Sequence, residues 1–372
     1  MRLLSLFFFV LAGSLSASEL PMPAYPLWDG HEAIADYAKR VNLSPTKTLD
    51  LGNNVKLDLV LIPAGKFIMG TPEPTPVDEV EFQNKIITGQ ALLAVFAGAL
   101  LVMLAFVVIR AVRKKQRPQL SLGRLLLVTV AAGGCVLSGM HWHHSVQMLE
   151  KANTEYAGAK ARYNAANKNE KPAHPVTLTK PIYMGKFSVT QEQYQSVMGS
   201  NPSEFKGKRN PVEMVSWNDA QAFCKKLSEQ TTEKVRLPTE AEWEYSCRAG
   251  TRTTYHSGNS EADLARVAWC SNKTHPVGQK EANAFELYDM HGNVSQWCQD
   301  FYGENYYGKS EAENPQGPSQ GAWHLSRGGS WGSTPMDFPY CRSAYRASDS
   351  IWLTASCWTG FRVVLVPSFK TP

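Results

Sequence analysis

The residues with the greatest chemical reach in this 372-residue chain are its 7 cysteines. Cys135 lies in an apolar stretch and reads as a small packing residue. The others, Cys224, Cys247, Cys270, Cys298, Cys341 and Cys357, all fall in the C-terminal part. Their spacings contain no CxxC pair, which argues against zinc. An even number of thiols outside the cell points to disulfides, whose connectivity the sequence leaves open. His174, His256, His275, His291 and His324 are scattered and form no Ser-His-Asp arrangement. His141, Trp142, His143 and His144 follow an apolar stretch, where aromatic and polar residues gather at a membrane interface.

The elements that must position these residues begin with targeting and membrane segments. Charged residues are 19% of the chain against 43% hydrophobic, below the roughly 25% of a soluble average. Residues 1–18 have a basic start, a short apolar core and small residues at the end, the pattern of a secretory signal peptide. Residues 86–109 carry no charge and are long enough to span a bilayer. Residues 120–140 form a second apolar stretch, with Arg124 near one end. Between them, residues 110–119 hold Arg110, Arg113, Lys114, Lys115 and Arg117 without an acid. The positive-inside rule places that loop in the cytoplasm and everything after the second span outside. The loop also accounts for the net charge of +5. The remainder is near neutral, which excludes a nucleic-acid-binding surface.

Residues 19–56 read as a leader with a helix near Glu32 to Val41. Residues 57–70 predict two short strands about a Pro-Ala-Gly turn. Residues 141–173 predict a helical stalk, because Met148, Ala152, Tyr156, Ala159 and Tyr163 recur at helical spacing. Capping boxes at Thr190, Ser216 and Thr239 each announce a helix, the first ending at Gly199. Beyond Gly250 the chain is rich in Gly, Asn, Ser and Trp, and predicts short strands and long loops.

Several segments together resemble one known family. LVLIPAGKFIMG, NPVEMVSWNDAQAFCKKLSE, VRLPTEAEWEYSCRAG, NAFELYDMHGNVSQWCQDFYG, LSRGGSW and GFRVVLVP are similar to the formylglycine-generating enzymes, the sulfatase-modifying-factor domain. The likeness covers residues 57–72 and 174–367 in order, with the membrane hairpin between the two pieces. It implies an α+β fold with little regular secondary structure, related to C-type lectins and here carrying an inserted two-helix transmembrane hairpin. It also implies that residues 57–72 pack onto the main unit.

The resemblance further implies oxidation of a sulfatase cysteine to formylglycine, using oxygen and a copper ion held by two cysteines. Aligned without gaps, those positions are Ser333 and Phe338, neither of which supplies the soft thiolate that Cu(I) prefers. Copper is therefore not expected. The nearby thiol Cys341 is implied to pair with Cys247 in a structural disulfide. The family's calcium loop falls on Asp289, the backbone carbonyls of Gly292 and Val294, and Gln296. Gln296 replaces a glutamate, which keeps an oxygen and loses a charge, so calcium is expected to be weakened. Ser295 stands where the family has a tryptophan, and Glu286 where it has a glycine. Arg327, Arg342, Arg346 and Arg362 are expected to hold carbonyls and acids inside the fold. Trp323, Trp331, Tyr340, Tyr345, Trp352 and Trp358 are expected to be core staples, some of them lining the groove where the enzymes hold peptide. The expected function is a membrane-anchored extracytoplasmic module that binds a peptide or protein ligand, with a membrane-protein partner for the hairpin. The alternative is an active oxidoreductase of the family.

Overall fold

The computed structural model describes residues 25–74, 166, 168–270, 272–333, 340–348 and 355–367, with separate helical positions between 94 and 164. It divides into two units. One is Met1–Gly70 with Asn167–Pro372, and the other is Thr71–Ala166.

In the first unit a short helix, α1 (Ile34–Arg40), precedes strands β1 (Thr46–Asp50), β2 (Lys56–Ile62) and β3 (Gly65–Met69). After the second unit come β4 (His174–Leu178) and β5 (Ile182–Gly185). Helices α2 (Gln191–Met198) and α3 (Trp217–Thr231) follow, then β6 (Lys234–Arg236) and helices α4 (Glu240–Arg248) and α5 (Glu261–Val267). The remainder is strands joined by loops: β7 (Ala268–Trp269), β8 (His291–Gly292), β9 (Ser295–Phe301), β10 (His324–Arg327), β11 (Ala347–Ser348), β12 (Thr359–Gly360) and β13 (Val364–Val366).

The main sheet has the order β1-β2-β5-β13-β6. Strand β2 pairs with β5 from Leu59↔Gly185 to Ile62↔Ile182, and β3 pairs with β4 from Gly65↔Leu178 to Met69↔His174. The piece before the second unit is thus stitched into the piece after it. The start of the domain lies earlier than the sequence suggests. β1 pairs with β2 along its full length, the Tyr37 hydroxyl accepts the Ala64 N–H at 3.0 Å, and Trp28 packs edge-on against Phe285. Residues from Tyr25 onward are therefore part of the fold rather than a separate leader.

The run KLDLVLI explains the layering. Leu57, Leu59 and Leu61 point to one face, with Tyr194, Phe223 and Leu227 of α2 and α3. Val60 and Ile62 point to the other, with Trp243 and Tyr245 of α4, Phe285 and Leu325. A sheet covered on both faces needs apolar residues at consecutive positions, and a one-residue slip would exchange the two sets.

The expected capping boxes form at Thr190, Ser216 and Thr239, and Gly199 caps α2 in the left-handed region at φ 87°. A fourth box, Ser260 with Asp263, starts α5. Glu286 takes φ 59°, so a side chain occupies a backbone shape that suits glycine. Its carboxylate pairs with Lys186 at 3.0 Å.

The second unit contains helical positions, and in it Lys160 pairs with Glu73 at 2.5 Å. Val95, Leu101 and Val102 on these positions are exposed. The signal segment 1–18 and the basic loop 110–119 lie outside the described residues, as does most of 86–109 and 120–140. Among the described residues no helix is long and apolar enough to cross a membrane. Of the predicted stalk 141–173, helical positions run to Asn164, and Lys168–Glu170 is a short 3-10 turn of the first unit.

Candidate functional site

A second sheet, in the order β11-β10-β9-β12, builds the site. β9 supplies Ser295, β10 supplies Ser326, and their hydroxyls meet at 2.8 Å. The chain then turns sharply through Gly328 (φ 95°) and Gly329 (φ 67°). A Cβ on Gly329 would stand 2.6 Å from the Cys341 sulfur, so only glycine lets the turn pass. The turn is closed by Ser330 and Ser333. The Ser333 N–H donates to the Ser330 carbonyl at 3.0 Å, and the Ser330 N–H donates to the Ser333 hydroxyl at 3.3 Å. Trp331 is pinned by its indole N–H on the Cys357 carbonyl at 2.9 Å and by Phe205 packed edge-on at 5.2 Å.

These residues wall a cavity of about 250 Å³. Ser295, Ser326, Gly329, Ser330, Gly332 and Ser333 line it. Tyr340, Tyr345, Ala347, Trp358 and Thr359 complete the described lining. None of the described lining residues carries a formal charge. The walls offer hydroxyls and aromatic faces, which suit hydrogen bonding to a polar chain and stacking on it. The cavity depends on a small residue at 295, since a larger side chain there would enter it. Ser333 lines this cavity, and Phe338 lies outside the described residues. Of the aromatics expected to line a groove, Tyr340, Tyr345 and Trp358 do so, and Trp352 lies outside the described residues.

The thiols differ from expectation. Cys341 does not face Cys247. Its sulfur lies 3.3 Å from that of Cys270, and all six thiols of this unit are unbonded. The physical reason is His291. Its Nδ1–H donates to the Cys341 carbonyl at 2.7 Å, while Nε2 lies 3.6 Å from the Cys247 sulfur and accepts the His256 N–H at 3.2 Å. The imidazole fills the space between the two, and the Cys247 sulfur finds the Ser343 hydroxyl at 3.7 Å. Burial holds His291 neutral, well below the usual histidine range, and pushes the Cys247 thiol up to about 12. This cysteine–histidine contact is therefore no activated nucleophile. The sequence marks Cys270 only as one of six candidate thiols, because spacing does not reveal a partner 71 residues away.

The calcium residues come together but are committed elsewhere. Gln296 Oε1 accepts from Trp243 Nε1 at 2.8 Å and from Arg362 Nε at 2.7 Å, and Gln296 Nε2 donates to the Asp289 carbonyl at 2.8 Å. Asp289 Oδ2 accepts the Gly278 N–H at 2.8 Å, and burial raises its carboxyl. The Gly292 N–H donates to the Gly328 carbonyl at 2.8 Å, and Val294 is fully buried. A hard dication needs free, preferably anionic oxygens. Here the Gln296 oxygen already holds two donors, one of them a guanidinium, while Asp289 Oδ1 is buried without a hydrogen-bond partner among the described residues.

The arginines behave as expected. Arg346 grips Glu240 of α4 at 2.6 and 2.9 Å and also donates to the Asn169 carbonyl. Arg327 pairs with Glu244, and Arg342 pairs with Glu170 at 2.6 Å. Arg362 donates to the Gly185 and Tyr288 carbonyls. These groups form the frame behind the cavity.

The comparisons with known proteins agree with this architecture. The sulfatase-modifying factor enzyme 1-like domain matches residues 154–366, and the chain belongs to that family. Among its relatives, the chaperone protein LppX of Paenibacillus barcinonensis is 33% identical over 214 residues, covering 43% of this chain and 72% of the relative. The formylglycine-generating enzyme of Streptomyces coelicolor is 34% identical over 146 residues, covering 35% of this chain and 45% of the enzyme. The chain thus spans less than half of that enzyme's length. The solved structure of PvdO from Pseudomonas aeruginosa shares the fold, with a TM-score of 0.54 at 22% identity, covering 87% of this chain and 99% of PvdO.

Proposed function

We propose that this chain is a membrane-anchored family member that binds an extracytoplasmic peptide or protein ligand without oxidising it. The observation that carries the reading is the cavity whose described lining is hydroxyls and aromatic faces without a formal charge, with Ser333 in its wall where the family implies a thiolate. Hydroxyl oxygens are hard and neutral and do not suit Cu(I). A relative named as a chaperone accords with a binding role. Anchoring rests on the uncharged stretch 86–109, the apolar stretch 120–140 and the basic loop between them.

The test uses a labelled peptide of the sulfatase CxPxR type and its serine analogue. Both are expected to bind the solubilised chain, and Ser295→Trp is expected to weaken binding at least about tenfold, roughly 1.4 kcal/mol. Undiminished binding to a folded Ser295→Trp protein would overturn the assignment of the cavity. The second reading, an active oxidoreductase, is favoured by the 34% identity to a formylglycine-generating enzyme and by the Cys341 thiol beside Gly329. Conversion of the peptide thiol to an aldehyde separates the two.

A further inference from the structure

Behind the cavity, two sulfurs sit closer than non-bonded packing requires. The Cys270 and Cys341 Sγ atoms are 3.3 Å apart. They sit in a small apolar cluster with Tyr255, Leu264 and Val267, apart from the two main cores. Cys341 is fully buried, and Cys270 is half-buried. Contact with Cys270 first, then Ser333, holds the Cys341 thiol below its ordinary range, while contact with Cys341 and burial raise the Cys270 thiol. Cys341 directly follows Tyr340 of the cavity wall, and its sulfur lies against Gly329, another lining residue. Cys224, Cys247, Cys298 and Cys357 have no sulfur neighbour among the described residues' hydrogen-bonding contacts.

We infer that Cys270 and Cys341 are a disulfide-forming pair, and that oxidation clamps the Tyr340 wall of the cavity to the end of β7. The arrangement suits thiol–disulfide exchange because one sulfur is reachable and the other lies directly behind it. The oxidant is an external disulfide, either a small-molecule disulfide or that of a protein oxidoreductase. The Cys270 thiolate attacks one of its sulfurs, forming a mixed disulfide and releasing the first external thiol. The Cys341 thiolate then attacks the Cys270 sulfur, forming the Cys270–Cys341 bond and releasing the second. One external disulfide is reduced to two thiols, which take up the two protons from the cysteines. The bond closes a loop between residues 71 apart in sequence, long enough for a large constraint on the unfolded chain. The inference does not depend on what occupies the cavity.

The test equilibrates the full-length protein in detergent with oxidised glutathione, alkylates the free thiols and maps digested peptides by mass spectrometry. The expected product is one cross-linked pair joining the Cys270 and Cys341 peptides, with Cys224, Cys247 and Cys298 still alkylated after unfolding. Reduction is expected to lower the melting temperature of the wild type by roughly 10 °C and leave that of Cys270→Ser unchanged. Full alkylation of both thiols in the oxidised sample would overturn the pairing, as would a cross-link through Cys247 or Cys357. An equal response of wild type and Cys270→Ser to reduction would overturn the clamp.

Discussion

Asp300 shows how single residues set the behaviour of this fold. It lies at the end of β9, almost fully buried, and one carboxyl oxygen accepts the Glu240 N–H at 2.9 Å. Burial, and next the neighbouring Glu240 carboxylate, raise it to about 8. In the unfolded chain the same group releases its proton near the ordinary aspartate value of about 3.9. The folded state therefore holds the proton more tightly, and this contribution is full below about pH 4 and lost as pH rises through about 8. Melting temperature should fall between about pH 5 and pH 8.5 more steeply in wild type than in Asp300→Asn, which keeps an oxygen acceptor and cannot ionise. Parallel curves would contradict that assignment. What was legible at this scale was local. The capping boxes at Thr190, Ser216 and Thr239 need only a residue and its third neighbour, and all three formed. Ser260 with Asp263 has the same form but stands in a loop-rich stretch without helical periodicity, and it was not read. The Cys270–Cys341 contact and the imidazole of His291 beside Cys247 depend on residues brought together from distant segments, and spacing carries no trace of them.

Helix α4 is the element on which the site is mounted. Its N-terminus is capped by Thr239, and Glu242 returns to the Thr239 N–H at 2.8 Å while pairing with Arg236. Its inner face places Glu240 and Glu244 against Arg346 and Arg327, all buried. Arg346 reaches this helix from just before β11, and Arg327 from the end of β10, so these two pairs hold the segments that carry the cavity walls. The two kinds of contact should differ in weight. Thr239→Ala removes a cap and should cost about 1 kcal/mol. Arg346→Met removes the two-pronged partner of the buried Glu240 carboxylate, leaving it the Tyr307 hydroxyl at 3.1 Å and Arg327 at 3.6 Å, and should cost about 3 kcal/mol. Denaturant unfolding of both variants checks the order, and a smaller loss for Arg346→Met would contradict the frame described here. The arginines were legible as structural because the C-terminal segments hold several of them among loops with many carbonyls to satisfy. Their acid partners on α4 were not, since pairing across the fold is set by packing.

At the scale of the whole molecule, the insertion of Thr71–Ala166 between two paired pieces of one domain is the defining feature. Strands β2 and β3 pair with β5 and β4, so the two ends of the insertion are tied to adjacent strands. The apolar stretches and the loop at 110–119 were legible in the sequence through charge alone. A cysteine placed in that loop by Gln116→Cys should react with a membrane-impermeant maleimide only after the cytoplasmic side is opened; labelling of intact cells would contradict the proposed topology. The early start of the domain was hidden because β1 has an ordinary alternating pattern that identifies a strand but not its partner. The central claim is that a cavity with Ser333 in its wall binds a ligand without oxidising it. The most direct measurement loads the detergent-solubilised chain with copper and incubates it in air with a CxPxR-type sulfatase peptide, beside an active formylglycine-generating enzyme. Mass spectrometry is expected to find the peptide thiol unchanged with this chain and converted by the enzyme. Appearance of the aldehyde with this chain would contradict the account.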